Sequence, residues 1–177
     1  NGADLANFFM KSGTIFYSQN RQGERIQVVE AVPEKFITDL PVVVLLNGST
    51  AGAAEITAGA LKDAQRATLI GEKSFGQGSS QKTIQLKSGA ALILSTAKYY
   101  TPGGKVIQNE TLRNAGIDPD VEVPDSEMKQ DLAVESYYDE QEEAVKYKKI
   151  QEKVDKIQVD KALEILLQPA APLKKAA

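Results

Sequence analysis

The stretch VVVLLNGSTAGAAEITAGALKDAQRATLIGEKSFGQGSSQ, residues 42–81, decides the fold. It opens on five consecutive apolar residues, Val42 to Leu46. Continuous apolar strands of this length usually lie buried on both faces, as in a parallel or mixed sheet with helices on both sides. Residues 47–52 are all small or polar and read as a tight turn. From Glu55 to Ala64 the spacing of Ile56, Ala60 and Ala64 gives one helical stripe. RATLIGE, from Arg66, is a second short buried strand, and a loop with Gly71, Gly76 and Gly78 follows. Strand, turn, helix, strand is an α/β pattern.

Outward from this segment the elements are simpler. Residues 3–10 place Leu5, Phe8 and Phe9 at helical spacing, and Ser12-Gly13 stops that helix. TIFYS and RIQVVEAV flank the turn QNRQGE and predict a hairpin. Pro33 and Pro41 bracket a connector. Downstream, KTIQLKSGAALILSTAKYY predicts a second hairpin turning at Ser88-Gly89. TPGGK is a turn, and GIDPDVEVP is a short edge segment limited by Pro119 and Pro124.

Composition shifts at Asp125. From there to Asp160 the chain is dense in Glu, Lys, Asp and Gln, with Glu142–Lys146 and Glu152–Lys156 at helical spacing. Such a run reads as a solvated helix or a connector. A last helix is predicted from Asp160 to Gln168, with Ala162, Leu163, Leu166 and Leu167 on one face and Pro169 ending it. The expected organisation is a core over 1–124, a charged segment over 125–159, a returning helix over 160–168 and a disordered tail over 169–177.

The chain has 177 residues, 42% of them apolar, which suits one packed domain or a piece of a larger protein. A net charge of −3 gives no reason to propose nucleic acid or an anionic membrane as partner. The absence of cysteine excludes disulfides and thiol chemistry. The absence of histidine excludes the usual Ser-His and Cys-His machinery and most zinc sites. No metal or other cofactor is expected. No run of about 18 apolar residues occurs, so membrane anchoring of this stretch is not expected. The glycines of 71–78 match neither phosphate-binding glycine pattern. Asn47-Gly48-Ser49 and Asn109-Glu110-Thr111 are glycosylation sequons that matter only in a eukaryotic secretory setting.

The turn over residues 47–52 is the informative feature. It displays a residue at a helix N-terminus, where free backbone N–H groups stabilise an oxyanion. Small residues let another backbone approach closely. The competing explanation is a packing turn between a core strand and a core helix, with Ser49 and Thr50 bonding local backbone.

Residues 42–81 resemble the catalytic segment of the carboxyl-terminal processing peptidases, the tail-specific serine proteases. That segment reads approximately N-x-G-S-A-S-A-S-E-I, then a helix, then R-A-x-x-x-G-E-x-T-F-G-K-G-x-x-Q. LSTAKYYTPGGKVIQNETLRNAGIDPDVEVP is similar to their next segment and DKALEILL to their last helix. The resemblance implies an α/β fold, with a mixed sheet flanked by helices and hairpins at its edge. It also implies polypeptide substrates, an extracytoplasmic location, an upstream PDZ domain and a serine–lysine dyad.

The family nucleophile stands three positions before the glutamate of S-E-I, which here is Gly52 before Glu55. The family base, twenty-five positions on, falls on Gln77. The supporting glutamine is present as Gln81, the helix acid falls on Asp63, and the oxyanion amide falls on Ala53. The frame therefore matches while both reacting side chains are absent. Glycine offers no hydroxyl, and a neutral carboxamide is no base near neutral pH. The expectation is a family member without turnover that binds a peptide or protein partner. Two alternatives stand beside it: an active peptidase using Ser49 or Thr50 with Lys73, and a structural interaction domain. The chain is expected to be a piece of a longer precursor that opens after the family's N-P-G-G segment, whose glycine amide completes the oxyanion hole.

Overall fold

The computed structural model describes residues 2–108, 115–123 and 140–167. The Asn109 sequon, the charged segment up to residue 139 and the tail from 168 onward lie outside the described residues.

Helix α1 (Gly2–Asn7) leads to strands β1 (Thr14–Gln19) and β2 (Arg25–Glu30), and a short 3-10 turn (Pro33–Lys35) follows. Then come β3 (Val42–Leu46), α2 (Ala53–Asp63), β4 (Ala67–Gly71), β5 (Ser79–Gln85), β6 (Ala91–Tyr100), β7 (Val121–Glu122) and α3 (Glu140–Leu167). The α/β expectation holds, with the strands divided between two sheets. One is antiparallel, in the order β2-β1-β6-β5. The other is parallel, in the order β3-β4-β7. Both hairpins form where the turn residues placed them.

Helix α2 ties the two sheets together. Ala60 and Leu61 pack with Ala6 and Met10 from the α1 region and with Ile15 and Phe16 of β1. Ala58 packs with Leu46, Leu69, Ile107 and Ile117 on the parallel side. Small side chains make this double contact possible. A methyl on Gly59 would come within 2.6 Å of Thr101 Cγ2, so the helix sits closer to that turn than alanine allows.

Three details differ from the sequence-based expectation. Strand β3 is not buried on both faces: Leu46 is covered, Val42 to Val44 are half-buried and Leu45 is 40% exposed. It forms one edge of a three-stranded sheet, and its covered residue, Leu46, packs with Ala58 of α2. Helix α1 stops at Asn7, so Leu5 and Phe8 are exposed while Ala6 and Met10 enter the core. Asn7 explains the stop. Its carboxamide donates to Met10 O (3.2 Å) and Val32 O (2.9 Å) and accepts from Val32 N (2.8 Å), replacing helical bonds with tertiary ones. Finally, α3 runs unbroken through residue 160, and among its described side chains Gln158 and Ala162 are buried, while Leu163, Leu166 and Leu167 stay exposed. Of the predicted stripe, Ala162 is covered and the three leucines are not. The side chains of Glu142 and Lys146 lie outside the described residues.

Candidate functional site

Gly52 caps the N-terminus of α2 with φ +59° and ψ −115°, a backbone shape that L side chains avoid. Glycine has no side chain, so only the glutamate half of a capping box forms. Glu55 Oε2 accepts from Gly52 N at 3.0 Å.

Glu55 does more than cap. It is fully buried and accepts from two elements at once. Its Oε1 takes the Ser74 hydroxyl (2.5 Å) and Gly76 N (2.7 Å). Its Oε2 takes Gln77 N (2.8 Å) as well as Gly52 N. A buried carboxylate is tolerated because four donors surround it. One side chain therefore fixes the spacing between the helix start and the 74–77 loop. Phe75 N adds a backbone bond to Thr50 O (2.9 Å).

The loop is held from behind by residues 115–118. Ser74 N donates to Ile117 O (3.0 Å), and Ile117 N donates back to the Ser74 hydroxyl (2.7 Å). Methyls on Gly76 and Gly116 would overlap Ala115 Cβ (2.5 Å) and Ser74 O (2.3 Å), so both positions need glycine for this approach, and both have positive φ. Asp118 receives the ammonium groups of Lys73 (3.3 Å) and Lys105. Burial pushes its carboxyl up, but hydrogen bonds and charge from Lys105 and Lys73 outweigh this and hold it below the usual carboxylate range.

The structure brings Gly52 and Gln77 together. A Cβ built on Gly52 would point into open space, its nearest neighbour the Gln77 carbonyl oxygen at 4.0 Å. The Gln77 side chain is exposed. Ala53, at the first position of α2, presents its backbone at the same helix N-terminus, with Gly2 packed against its carbonyl. Gln81 lies on β5 just past an irregularity in its pairing with β6, with its side chain exposed. Asp63 is not brought in. It lies at the far end of α2, about 16 Å from Gly52 at 1.5 Å per residue, and its carboxylate accepts from Gly103 N at 2.7 Å. Its visible work is to anchor the turn before Lys105.

The residues of the displaced pair have other partners. Thr50 Oγ1 accepts from Asn47 N (3.1 Å) and meets Asn47 Oδ1 (3.4 Å), which also takes Ser49 N (3.0 Å). The Asn47 side chain is thus built into the turn. Lys73 faces Asp118. Sequence reasoning missed Glu55 and Ser74 as site-builders. The signal was a glutamate at the third helical position of an otherwise apolar, alanine-rich segment.

Two sheets joined by one helix, with a positive-φ glycine at its start facing a glutamate-locked glycine loop, define the site within a mixed α/β core. The chain belongs to peptidase family S41, whose family model matches residues 1–123. It is 44% identical over 119 residues to the carboxyl-terminal-processing protease of Synechocystis sp., covering 67% of this chain and 26% of that protein. The protease of the same name from Picosynechococcus sp. is 42% identical over 123 residues, covering 70% and 28%. Among solved structures, the photosystem II D1 C-terminal processing protease superposes with a TM-score of 0.61 at 32% identity, covering 70% of this chain and 30% of that one. The chain spans about a quarter of the length of the curated relatives it matches.

Proposed function

We propose that this chain is the core of a tail-specific peptidase that has lost turnover and keeps a groove for polypeptide. The observation that carries the reading is the Gly52–Gln77 contact. The space a nucleophile would fill is open, the frame around it is held by Glu55, and neither residue supplies a hydroxyl or an amine. Removing the members of such a catalytic unit costs several orders of magnitude in rate, leaving what oriented backbone donors provide. The likeness to carboxyl-terminal-processing proteases supports polypeptide as the ligand class, and an extracytoplasmic site of action is part of the same proposal. A PDZ domain elsewhere in the whole protein belongs to the same proposal.

The test is restoration. Gly52→Ser and Gln77→Lys are made singly and together in the full-length protein and assayed with a fluorogenic unstructured polypeptide. Hydrolysis is expected in the double variant alone. Turnover by the unaltered protein at a comparable rate refutes the reading. The displaced-dyad alternative predicts fluorophosphonate labelling at Ser49 or Thr50, which tandem mass spectrometry detects. The engagement of Thr50 with Asn47 and of Lys73 with Asp118 argues against it.

A further inference from the structure

The antiparallel sheet carries a cleft that the Gly52–Gln77 frame does not use. The β1–β6 register pairs Tyr17 with Tyr100 and Gln19 with Lys98, which places these four on one face. The intervening residues turn the other way: Phe16 and Tyr99 meet edge to face at 5.4 Å in the core. On the opposite face the Tyr17 and Tyr100 rings stack at 5.2 Å and 6°, and the Arg25 guanidinium lies 4.1 Å over Tyr17, which is buried beneath them. Beside this stack is a cleft of about 390 Å³, lined in part by Gln19, Arg21, Ser95, Thr96, Lys98 and Tyr100.

Its chemistry is one-sided. Arg21 and Lys98 are cations, Gln19 carries a carboxamide donor, and Ser95 and Thr96 carry hydroxyls. Among the described residues no carboxylate lines it. The acid of the neighbouring turn, Glu24, accepts from Asn20 Nδ2 at 2.8 Å. The cleft lies near the first site through the β5–β6 pairing. Ser79 pairs with Lys98, Tyr99 N donates to Gly78 O at 2.8 Å, and Ser79 is two residues beyond Gln77, about 7 Å of extended chain.

We infer that this cleft binds a carboxylate carried by the polypeptide in the Gly52–Gln77 groove. Arg21 supplies the fork that matches a carboxylate, and Tyr100 forms the wall for the adjoining aliphatic part. The carboxylate belongs either to a chain terminus or to an acidic side chain. This inference rests on the groove reading above.

The experiment uses three fluorescein-labelled octapeptides of alanine and leucine. One ends in a free carboxylate, one in an amide, and one in an amide with glutamate as the last residue. Fluorescence anisotropy at low salt is expected to show the free acid, the glutamate peptide, or both binding about three- to tenfold tighter than the plain amide, the size of one charge-assisted contact at a half-exposed site. Whichever peptide gains identifies the source of the carboxylate. Arg21→Gln, at an exposed position, is expected to erase that gain and leave the plain amide unchanged. Lys98→Gln gives a second reading of the same difference. Equal affinities for all three peptides overturn the carboxylate site and leave the groove standing. No binding of any peptide removes the groove, and this inference with it.

Discussion

Glu55 is the place to test whether the site is held as described. Glu55→Ala strands four donors: the Ser74 hydroxyl and the backbone N–H groups of Gly52, Gly76 and Gln77. Ser74 and Gly76 are buried, and each unsatisfied buried donor costs about 1–3 kcal/mol. Gly52 and Gln77 are less covered and recover part of their loss from water. The expected sum is about 4 kcal/mol, or about 10 °C in melting temperature for a chain of this size. Glu55→Gln separates the two oxygens. Its remaining carbonyl can keep Ser74 and Gly76, while its NH2 group faces the Gly52 and Gln77 amides as donor against donor. The expected cost is about 2 kcal/mol, concentrated at the Gly52–Gln77 contact. Urea unfolding gives the global number. Amide exchange gives the local one, and an opening cheaper by about 2 kcal/mol exchanges about 30-fold faster at Gly52 and Gln77. The reasoning is refuted if Glu55→Gln matches the parent within about 0.5 kcal/mol, or if alanine and glutamine variants are equally stable.

Three further outcomes are expected. Gly52→Ser meets open space but a forbidden backbone shape, so it folds with a loss of about 1–3 kcal/mol in urea unfolding; a larger loss means that the space is not there. Gly71→Ala is worse. Its φ is +123°, and a Cβ would sit 2.0 Å from Leu46 O, on a strand fixed by the β3–β4 pairing, so a loss of about 3 kcal/mol or more and poor soluble yield are expected, and near-parent stability refutes the contact. The third concerns pH. The Asp118 carboxyl is held low in the folded chain, so its contribution is present above the unfolded value and is lost as pH falls through the folded one. Asp118→Asn is therefore expected to flatten the stability profile below about pH 4 by a small amount, since the group is 53% exposed and its pairing is screened. Parallel profiles for parent and variant count against the assignment.

Local order was legible in the sequence because it is set by near neighbours. The five apolar residues of β3, the small turn after them and the alanine-rich stripe of α2 specify strand, turn and helix through periodicity alone. So do the hairpin at Ser88-Gly89 and the absence of a hydroxyl at Gly52 and of an amine at Gln77. Tertiary structure decided the rest. An apolar run such as Val42 to Leu46 is the same whether its strand lies centrally or at an edge, so the exposure of Leu45 depended on how many strands pair beside it. The stop of α1 depended on Val32, twenty-five residues away from Asn7. The rotation of α3 depended on which narrow face reached the sheet, not on where leucines cluster. Most of all, a glutamate written as part of a helix start became the clamp between two loops, because Ser74, Gly76 and Gln77 lie 19 to 22 residues along the chain and converge on it only in the folded structure. Spacing along a chain encodes periodicity, while donors converging on one buried carboxylate are encoded only in three dimensions.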